Sequence, residues 1–520
     1  MNDDAVALAW SELPDYLGQH VLLSLSAILL GIAISLPLAI AASRSRYLRG
    51  PALGFASLVQ TIPGLALLAL FYPVLLFLSA FTQRTFGFGF RALGFLPALL
   101  ALTLYSMLPV LRNTITGLEG VDPATKMAAR GVGMTAWQSL RLVQLPLAAP
   151  VIMAGIRTAA VWVIGTATLS TPVGQTSLGN YIFTGLQTEN WVFVLFGCVA
   201  AGGLALIIDR LLALMEDSFA DRSRPKFVAS VLGILAVIGV SLFPLFVSAS
   251  DGGSKTVVIG NKGFDEQYTL SELMAHRLRA AGYRTKRRDG LGSIVVFSAL
   301  ASGDVDAYVD YSGTVWADDM KRTDMPGRAA VLKQMAAWLK QKHGIGYLGP
   351  IGFENAYAFV MPRAKADALH IDTLADLAAY APRLKIGGDF EIFSRPEWRA
   401  VVKTYGLKFA SQRVFQPNFM YRAVTGGDVD VISAFSSDGR IAEYKLKILG
   451  DPKGALPPYD AVLLVSPERA KDEKFLAALR PLIGSIDLAT MQQANLMVDR
   501  ETDKKTPEQA AAWIEKKLAK

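Results

Sequence analysis

The sequence has little of what catalytic, metal-binding or disulfide-bonded proteins require. Its only cysteine, Cys198, lies in an apolar run, which excludes an internal disulfide and a thiolate metal cluster. The four histidines are far apart and carry no HExxH or CxxC pattern, so we expect no metal site. The sequence contains no GxxxxGK[ST] run and no Ser, His and Asp in a nucleophile pattern. We therefore expect no enzymatic chemistry and no cofactor in this chain.

Charged residues are also scarce, and they are distributed unevenly. Of the 520 residues, 18% are charged and 52% are hydrophobic, and the mean hydropathy is +0.34. Residues 1–250 contain 14 Lys and Arg and 11 Asp and Glu. Residues 251–520 contain 38 Lys and Arg and 33 Asp and Glu. This division predicts a membrane-embedded first half and a water-soluble second half. The net charge of +8 forms no basic stripe with interleaved aromatics, so we expect no nucleic-acid partner.

Six apolar segments of the first half are long enough to cross a lipid bilayer, since about 20 residues suffice. They are predicted at residues 21–42, 53–81, 95–111, 148–171, 191–208 and 227–247. Pro63 and Gly64 are expected to kink the second segment. Arg157 lies in the fourth, where an unpaired charge is costly, so we expect it to face the bundle interior or reach the interface. Asp209 is a possible partner.

The basic residues of the connecting loops predict the orientation. Lys and Arg are retained on the cytoplasmic side of a membrane. They concentrate in the loops after the first, third and fifth segments: Arg44, Arg46 and Arg49; Arg112, Lys126, Arg130 and Arg141; Arg210, Arg222, Arg224 and Lys226. The N-terminus and everything after about residue 249 are therefore predicted to lie on the extracytoplasmic side.

Residues 126–147 form a polar, basic segment between the third and fourth spans. Small alanines permit close helix approach, Gly133 permits a reversal of the chain, and Pro146 favours a new helix start. The pattern Met127-Ala128-Ala129, then Gly133, then Leu145-Pro146 resembles the EAA coupling loop of ABC-importer permeases. The alternative is an ordinary amphipathic surface helix between two spans.

The resemblance implies that a separate cytoplasmic ATPase, which binds ATP and magnesium, docks on this segment. The family usually has Glu at the position of Met127, so a salt bridge made there is expected to be absent. Because six spans contain one coupling segment, two copies of the chain would be needed to form the pore.

In the second half, short β-rich runs alternate with helical stretches, which is typical of α/β domains. After a polar linker at 248–255, we predict one lobe from about 255–358 and 462–520, and a second from about 362–458. Gly290 and Gly292 precede a predicted helix whose N-terminal N–H groups could hold an anion.

Six blocks of aromatic and polar residues lie at strand ends and turns of this half. They are IGNKGFDEQY (259–268), VDYSGT (309–314), FENAYAF (353–359), FEIFSRPEW (390–398), AFSSDGRIAEY (434–444) and PPYDAVLLV (457–465). Their order and spacing resemble those of the solute-binding proteins for glycine betaine, choline and related quaternary ammonium compounds. The resemblance implies a two-lobed periplasmic-binding-protein fold that closes on its ligand.

A quaternary ammonium group has no N–H to donate, so proteins hold it with the electron-rich faces of aromatic rings. The resemblance assigns such a box to Tyr311, Tyr357, Phe435 and Tyr459. Relatives often have Tyr at the third position, so Phe435 keeps the ring face and loses the phenolic oxygen. For the carboxylate of a betaine, the resemblance implies Arg395 as a bidentate partner, with further donors from Thr314, Lys262 and Gln267.

We therefore expect an α-helical, type I ABC-importer-like permease domain at 1–226, the last span and a linker at 227–254, and a solute-binding domain at 255–520. The expected function is that of a permease and binding subunit in the inner membrane, importing glycine betaine, choline or a related quaternary ammonium solute. Two alternatives stay open. One is a ligand-gated channel or sensory receptor with the same exterior domain, and the other is an importer of another betaine, such as carnitine or a histidine-derived betaine.

Overall fold

A computed structural model describes residues 2–519 except 88–89, 91–93, 188–189, 251–255, 323, 325, 390 and 501. The chain divides into two compact units. The first comprises Asn2–Phe183 and Val192–Gly252, and the second comprises Thr184–Trp191 and Gly253–Lys520, with Met1. Five residues of the predicted linker, 251–255, lie outside the described residues.

The first unit is helical throughout. Its helices are α1 (Asn2–Arg44), α2 (Arg46–Thr61), α3 (Gly64–Phe86), α4 (Phe95–Glu119), α5 (Pro123–Gly131), α6 (Ala136–Ser139), α7 (Leu145–Ala167), α8 (Gly179–Gln187), α9 (Trp191–Ala220) and α10 (Arg224–Ser250). Within the described residues, six helical segments are long and apolar enough to cross a membrane, so the predicted number is confirmed. Helix α4 is the most buried of them and packs against α1 and α7.

The predicted start of the second span is wrong. The apolar segment predicted at 53–81 contains two helices, because α2 ends at Thr61 and the spanning helix α3 begins at Gly64. Ile62 has an extended backbone with ψ of 128°. A proline ring disfavours helical geometry in the residue before it, so Pro63 ends α2 at this point. The expected kink is therefore a complete break.

The second unit contains two five-stranded mixed sheets. Its strands are β1 (Thr256–Lys262), β2 (Arg284–Leu291), β3 (Ala307–Tyr311), β4 (Gly346–Glu354), β5 (Tyr357–Pro362), β6 (Lys385–Gly388), β7 (Ser411–Val414), β8 (Val431–Phe435), β9 (Leu446–Ile448) and β10 (Asp460–Val465). The strand orders are β2-β1-β3-β10-β4 and β7-β6-β8-β5-β9. Strands β1–β3 and β6–β8 run parallel where they pair, whereas β10 and β5 are antiparallel to both neighbours.

Helices cover the faces of both sheets, as expected for sheets with parallel strands. They are α11 (Asp265–Ala280), α12 (Ser293–Ser302), α13 (Ser312–Thr314), α14 (Arg328–Trp338), α15 (Arg363–Ala368), α16 (Leu374–Tyr380), α17 (Pro396–Tyr405), α18 (Pro417–Thr425), α19 (Arg440–Glu443), α20 (Glu473–Leu479), α21 (Leu488–Asp499) and α22 (Pro507–Leu518). Almost every residue of β5, β8 and β10 is buried, so the aliphatic runs that predicted these strands form the core.

The two sheets define two lobes. The first lobe holds β1–β4, β10 and the helices after it, and the second holds β5–β9. The chain leaves the first sheet at Glu354 and enters the second at Tyr357, so the first crossing, predicted near 358–361 between the two lobes, lies three to five residues earlier than predicted. It returns between Ile448 and Asp460. Two short crossing segments, residues 355–356 and 449–459, therefore connect the lobes.

Arg157 of the first unit has acidic partners. Its guanidinium donates to both carboxylate oxygens of Asp209, at 2.6 and 3.0 Å, and to Glu216 at 3.4 Å. The expected pairing with Asp209 is confirmed. A bidentate ion pair between α7 and α9 compensates a charge that would be costly within a membrane-spanning segment.

We expect Asp209→Asn to lower the free energy of unfolding by about 2 kcal/mol. This lies between the loss typical of an exposed ion pair and the loss typical of a fully buried one. The variant leaves Arg157 without its bidentate partner. The double variant Arg157→Met, Asp209→Leu should recover part of the loss, because no unpaired charge remains. Thermal unfolding of the detergent-solubilised chain measures both, and a double variant less stable than Asp209→Asn would contradict this role of the pair.

Candidate functional site

A cavity of about 300 Å³ opens between the two lobes of the second unit. Seven of the eight residues predicted to bind the ligand line it: Lys262, Tyr311, Thr314, Tyr357, Arg395, Phe435 and Tyr459. The cavity is also lined by residues that the sequence did not single out as ligand contacts, among them Phe264, Ser293, Asn355, Asp389, Glu391 and Gln416.

The crossing segments place the aromatic residues at the cavity. Tyr357 is the first residue of β5 and pairs with Phe435, the last residue of β8. Tyr459 directly precedes β10, and its carbonyl accepts the backbone N–H of Asn355 at 2.9 Å. Tyr311 ends β3. Rings that are far apart in sequence thus meet where the chain passes from one lobe to the other.

Five rings form a continuous series, which we call the aromatic arc: Tyr311, Phe264, Phe435, Tyr357 and Tyr459. Successive ring centroids are 6.1, 6.0, 5.1 and 5.7 Å apart. Phe264 and Phe435 are nearly parallel, with an interplanar angle of 6°. A cation interacts with a ring within about 6 Å of its centroid, so one cation beside the arc can contact several rings.

Phe264 is the ring that sequence reasoning missed. It lies two residues after the end of β1 and inside the block 259–268, so it has the same signal as Tyr311, an aromatic residue at a strand end.

Gly313 matters for another ring. A β-carbon at this position would come within 2.7 Å of the Tyr459 ring, so a residue without a side chain is required there.

The three phenols of the aromatic arc are tied to carboxylates. Tyr311 donates to Glu266 at 2.5 Å, Tyr459 donates to Glu397, and Tyr357 lies 3.4 Å from Asp389. These bonds fix the ring orientations and leave the ring faces for the cavity. Because an anionic acceptor polarises the phenol, electron density on each ring rises, which favours a bound cation.

Gln267 does not line the cavity, so its predicted role as a direct donor is corrected. Its side-chain amide donates to the carbonyl of Val309 at 3.0 Å and to the phenolic oxygen of Tyr311 at 2.8 Å. It lies fully buried behind Tyr311. Helix α11 starts at Asp265, which turns the Gln267 side chain toward β3 rather than toward the cleft. Gln267 therefore orients a ring of the aromatic arc.

Arg395 is buried, with 5% of its side chain exposed, and three carboxylates surround it. Its guanidinium contacts Glu391 at 2.9 Å, Asp318 at 3.0 Å and Glu397 at 3.3 Å, and its central carbon lies 5.5 Å from the Tyr357 ring centroid. Asp318 belongs to the first lobe, whereas Arg395 belongs to the second, so this cluster joins the lobes across the cleft. The guanidinium is therefore already engaged, and a ligand must share or exchange these contacts.

Lys262 also has a partner already. Its ammonium group pairs with the buried carboxylate of Asp310 and lies 5.3 Å from the Tyr311 ring centroid. Thr314, buried in the short helix α13, faces the cavity beside it. Lys262 thus contributes positive charge to one end of the aromatic arc, while Asp310 neutralises much of it.

Asp389 and Glu391 are acidic lining residues that sequence reasoning did not assign. One carboxylate oxygen of Asp389 accepts the backbone N–H groups of Glu391 and Ile392, at 2.8 and 2.6 Å, and its other oxygen is directed toward Tyr357. Burial raises the pKa of Asp389 above its usual value, and the two backbone donors partly offset this. Both residues follow β6, at the carboxyl end of a parallel strand, where ligand sites of α/β sheets lie.

The predicted coupling segment has a defined local structure. Asp122 caps α5 by accepting the backbone N–H of Ala124 at 2.9 Å, and Gly133 reverses the chain with φ of +83°. Pro146 occupies the first turn of α7, as expected. Within the described part of the first unit, this segment exposes large apolar side chains: Met127, Val132, Trp137 and Leu142. Ala129 is buried, whereas Ala128 is exposed.

Asp319, near the Lys262–Asp310 pair, makes folding stability depend on pH. Burial, together with the negative charge of Asp310, raises the pKa of Asp319 from 3.8 to about 8, and Lys262 opposes this. Between these pH values the folded protein retains a proton that the unfolded chain releases. The free energy of unfolding therefore falls as pH rises through this window, by at most about 1.4 kcal/mol per pH unit.

We expect Asp319→Asn to flatten this dependence, so that the variant becomes more stable than the wild type as pH rises from 5 to 7.5. Urea unfolding of both proteins across this range measures the difference, with the exposed Asp428→Asn as a matched control. A stability difference that stays constant with pH would show that Asp319 is charged in the folded protein.

Comparison with known proteins gives two family matches. Residues 255–516, half of the chain, match the family described as the substrate binding domain of the ABC-type glycine betaine transport system. Residues 28–221 match the family described as the binding-protein-dependent transport system inner membrane component. Each match falls in one half of the chain.

Individual relatives show the same division. The ergothioneine transport permease/ergothioneine binding protein of Helicobacter pylori (strain G27) is 29% identical over 483 residues, which are 89% of this chain and 82% of the relative. A glycine betaine/carnitine/choline transport system permease protein of Bacillus subtilis (strain 168) is 43% identical over 199 residues, 38% of this chain and 84% of that protein. A crystal structure of a glycine betaine/carnitine/choline ABC transporter is 27% identical in sequence. The match covers 51% of this chain and 98% of the chain in that structure, with a TM-score of 0.45.

The helical first unit, the two-sheet second unit and both family matches agree. They indicate a multi-pass inner-membrane protein that is a transport subunit rather than an enzyme. The chain belongs to the betaine-type ABC importers, with the inner-membrane permease and the substrate-binding domain fused in one polypeptide.

Proposed function

We propose that this chain binds and imports a trimethylammonium solute, using ATP hydrolysed by a separate ATPase. The observation that carries the proposal is the aromatic arc beside a buried arginine, in a cavity between two lobes. A trimethylammonium group is a permanent cation that cannot be deprotonated to ease its burial. Aromatic faces can replace its hydration without requiring a hydrogen bond.

The charges around the cavity support a cationic ligand. Two basic residues line or approach the aromatic arc, Lys262 and Arg395, and both are paired within the protein. The acidic groups at or behind the walls outnumber them: Glu266, Asp310, Asp318, Asp389, Glu391 and Glu397. An excess of negative charge in a cleft raises the local concentration of cations.

The part of the cavity next to Arg395 supports a carboxylate on the ligand. Arg395 offers a guanidinium, and the first turn of α12, which begins at Ser293 after Gly292, faces the same cavity. A helix N-terminus and a guanidinium both favour an anion. A zwitterion with a trimethylammonium group and a carboxylate therefore fits better than a simple cation. Glycine betaine has both groups, whereas choline has only the cation.

A histidine-derived betaine is a second candidate, and Asp389 favours it. Among the described residues, the carboxylate oxygen of Asp389 that faces Tyr357 accepts no backbone N–H group, and its contact with the phenol is long, at 3.4 Å. This oxygen can therefore accept a further hydrogen bond. Glycine betaine and choline carry no N–H group, but the imidazole-derived ring of ergothioneine does. The relative named for ergothioneine matches both halves of this chain. Titration of the chain with choline, glycine betaine and ergothioneine ranks these ligands.

The coupling segment is proposed to dock on the ATPase on the cytoplasmic side, with the binding domain outside, as the loop charges predict. Its exposed side chains are mainly apolar, with Met127 69% exposed where the family usually has Glu. Docking is then dominated by apolar contact. Two copies of the chain, each contributing one set of spans, would enclose the pore.

The experiment that tests transport is solute uptake into proteoliposomes containing this chain and its ATPase. We expect accumulation above the external concentration only when ATP is supplied on the coupling-segment side. A ligand-gated channel or a receptor would instead give uptake that persists without ATP or never exceeds the external concentration. An ATPase variant that binds ATP without hydrolysing it provides the control.

We expect Tyr357→Ala to weaken binding of the preferred trimethylammonium solute by about 1–2 kcal/mol, a desolvated cation–π contact. Tyr357→Phe keeps the ring, so its Kd should stay within about threefold of the wild-type Kd. A tenfold change in Kd corresponds to about 1.4 kcal/mol. Titration calorimetry of the purified chain measures both. Equal losses in the two variants would show that the phenol matters rather than the ring face, and no loss in either would remove Tyr357 from the site.

A further inference from the structure

Glu391 occupies the place where a ligand carboxylate would bind. One oxygen of its carboxylate lies 2.9 Å from a terminal nitrogen of Arg395. The same carboxylate accepts the hydroxyl of Ser293, at 3.3 and 3.4 Å to its two oxygens. Ser293 is the first residue of α12, so the carboxylate lies at a helix N-terminus as well as against a guanidinium.

This contact crosses the cleft. Ser293 belongs to the first lobe, whereas Glu391 and Arg395 belong to the second. The backbone N–H of Glu391 donates to Asp389 at 2.8 Å, which fixes the position of its main chain beside the cavity. The side chain alone can therefore move without any change in the surrounding strands.

Glu391 is the most exposed of the three carboxylates that contact Arg395. Its side chain is 46% exposed, against 20% for Asp318 and 1% for Glu397. Asp318 and Glu397 contact one terminal nitrogen of the guanidinium, and Glu391 contacts the other. If Glu391 moves into solvent, Arg395 keeps two anionic partners, and its outer edge becomes free for one incoming carboxylate.

We propose that Glu391 is an internal substitute for the ligand carboxylate and determines whether the site prefers a zwitterion or a simple cation. This inference rests on the proposed function. A ligand with a carboxylate displaces Glu391 from Arg395 and from the start of α12, so one anion replaces another. A ligand without a carboxylate leaves Glu391 in place, and the Glu391–Ser293 contact then closes the cleft.

The physical consequence is an opposite effect on two classes of ligand. For a zwitterion, Glu391 is a competitor that must be displaced, and its negative charge repels the incoming carboxylate. For a simple cation, the same charge is an attraction inside the cavity. Removing the charge should therefore favour the zwitterion and disfavour the cation.

The test is Glu391→Gln in the full-length chain, titrated with glycine betaine and with choline, which share the trimethylammonium group and differ in the carboxylate. We expect the ratio of the glycine betaine Kd to the choline Kd to fall by about tenfold or more, a difference of about 1.4 kcal/mol. Glu391→Asp retains the charge and should keep a ratio closer to that of the wild type. Glu473→Gln, which removes a glutamate carboxylate that is 75% exposed and paired with Arg480, should leave the ratio unchanged.

The outcomes separate the two proposals. A wild-type chain that binds no trimethylammonium compound overturns the proposed function itself. A wild-type chain that binds them, with a ratio unchanged within about threefold in Glu391→Gln or shifted toward choline, overturns the role of Glu391 alone. A shift of the same size in Glu473→Gln would show that the effect is long-range electrostatics rather than exchange at Arg395.

Discussion

The architecture of the binding domain depends on the buried charge of Arg395. A guanidinium with 5% of its surface exposed is costly unless carboxylates compensate it. One of those carboxylates, Asp318, comes from the opposite lobe. When the lobes close, Asp318 therefore comes into contact with Arg395 and compensates part of its charge. The stacked rings of Phe264 and Phe435 add an apolar contact between the same two lobes.

The position of the aromatic arc follows from the topology. The chain changes sheets twice, and the two crossing segments lie side by side because the N–H of Asn355 donates to the carbonyl of Tyr459. Tyr357 and Tyr459 directly follow or end these crossings. Rings placed at a hinge move little when the lobes open, because a hinge is the axis of the motion. Under the proposed function, the contact between Tyr357 and Tyr459 would form part of a cation subsite before closure, whereas an anion subsite at Arg395 would be completed by closure.

The sequence predicted the membrane spans, the α/β class and seven of the seventeen residues that line the cavity, because each depends on local patterns. Apolar length gave the spans, and aromatic residues at strand ends pointed to the walls. What it missed depends on tertiary contact. Gln267 and Tyr311 are 44 residues apart, and only the packing of α11 against β3 shows that Gln267 lies behind the ring. Glu391 received no role from the sequence, because Ser293, the start of the helix that it contacts, is 98 residues away. The sequence predicted a kink at Pro63 where the helix is in fact interrupted, because an apolar run does not indicate where the backbone leaves helical geometry.

The fusion of the two units bears on how weak their docking can be. Among the described residues from Thr256 onward, the exposed large apolar side chains are Val414, Ile448 and Leu488. Such a surface offers little hydrophobic contact area, so an untethered domain with this surface would bind a permease weakly. A covalent tether replaces a bimolecular encounter by an intramolecular one, at an effective concentration of about millimolar for a short flexible linker. Under the proposed transport function, weak and polar docking would then be sufficient for delivery of the ligand.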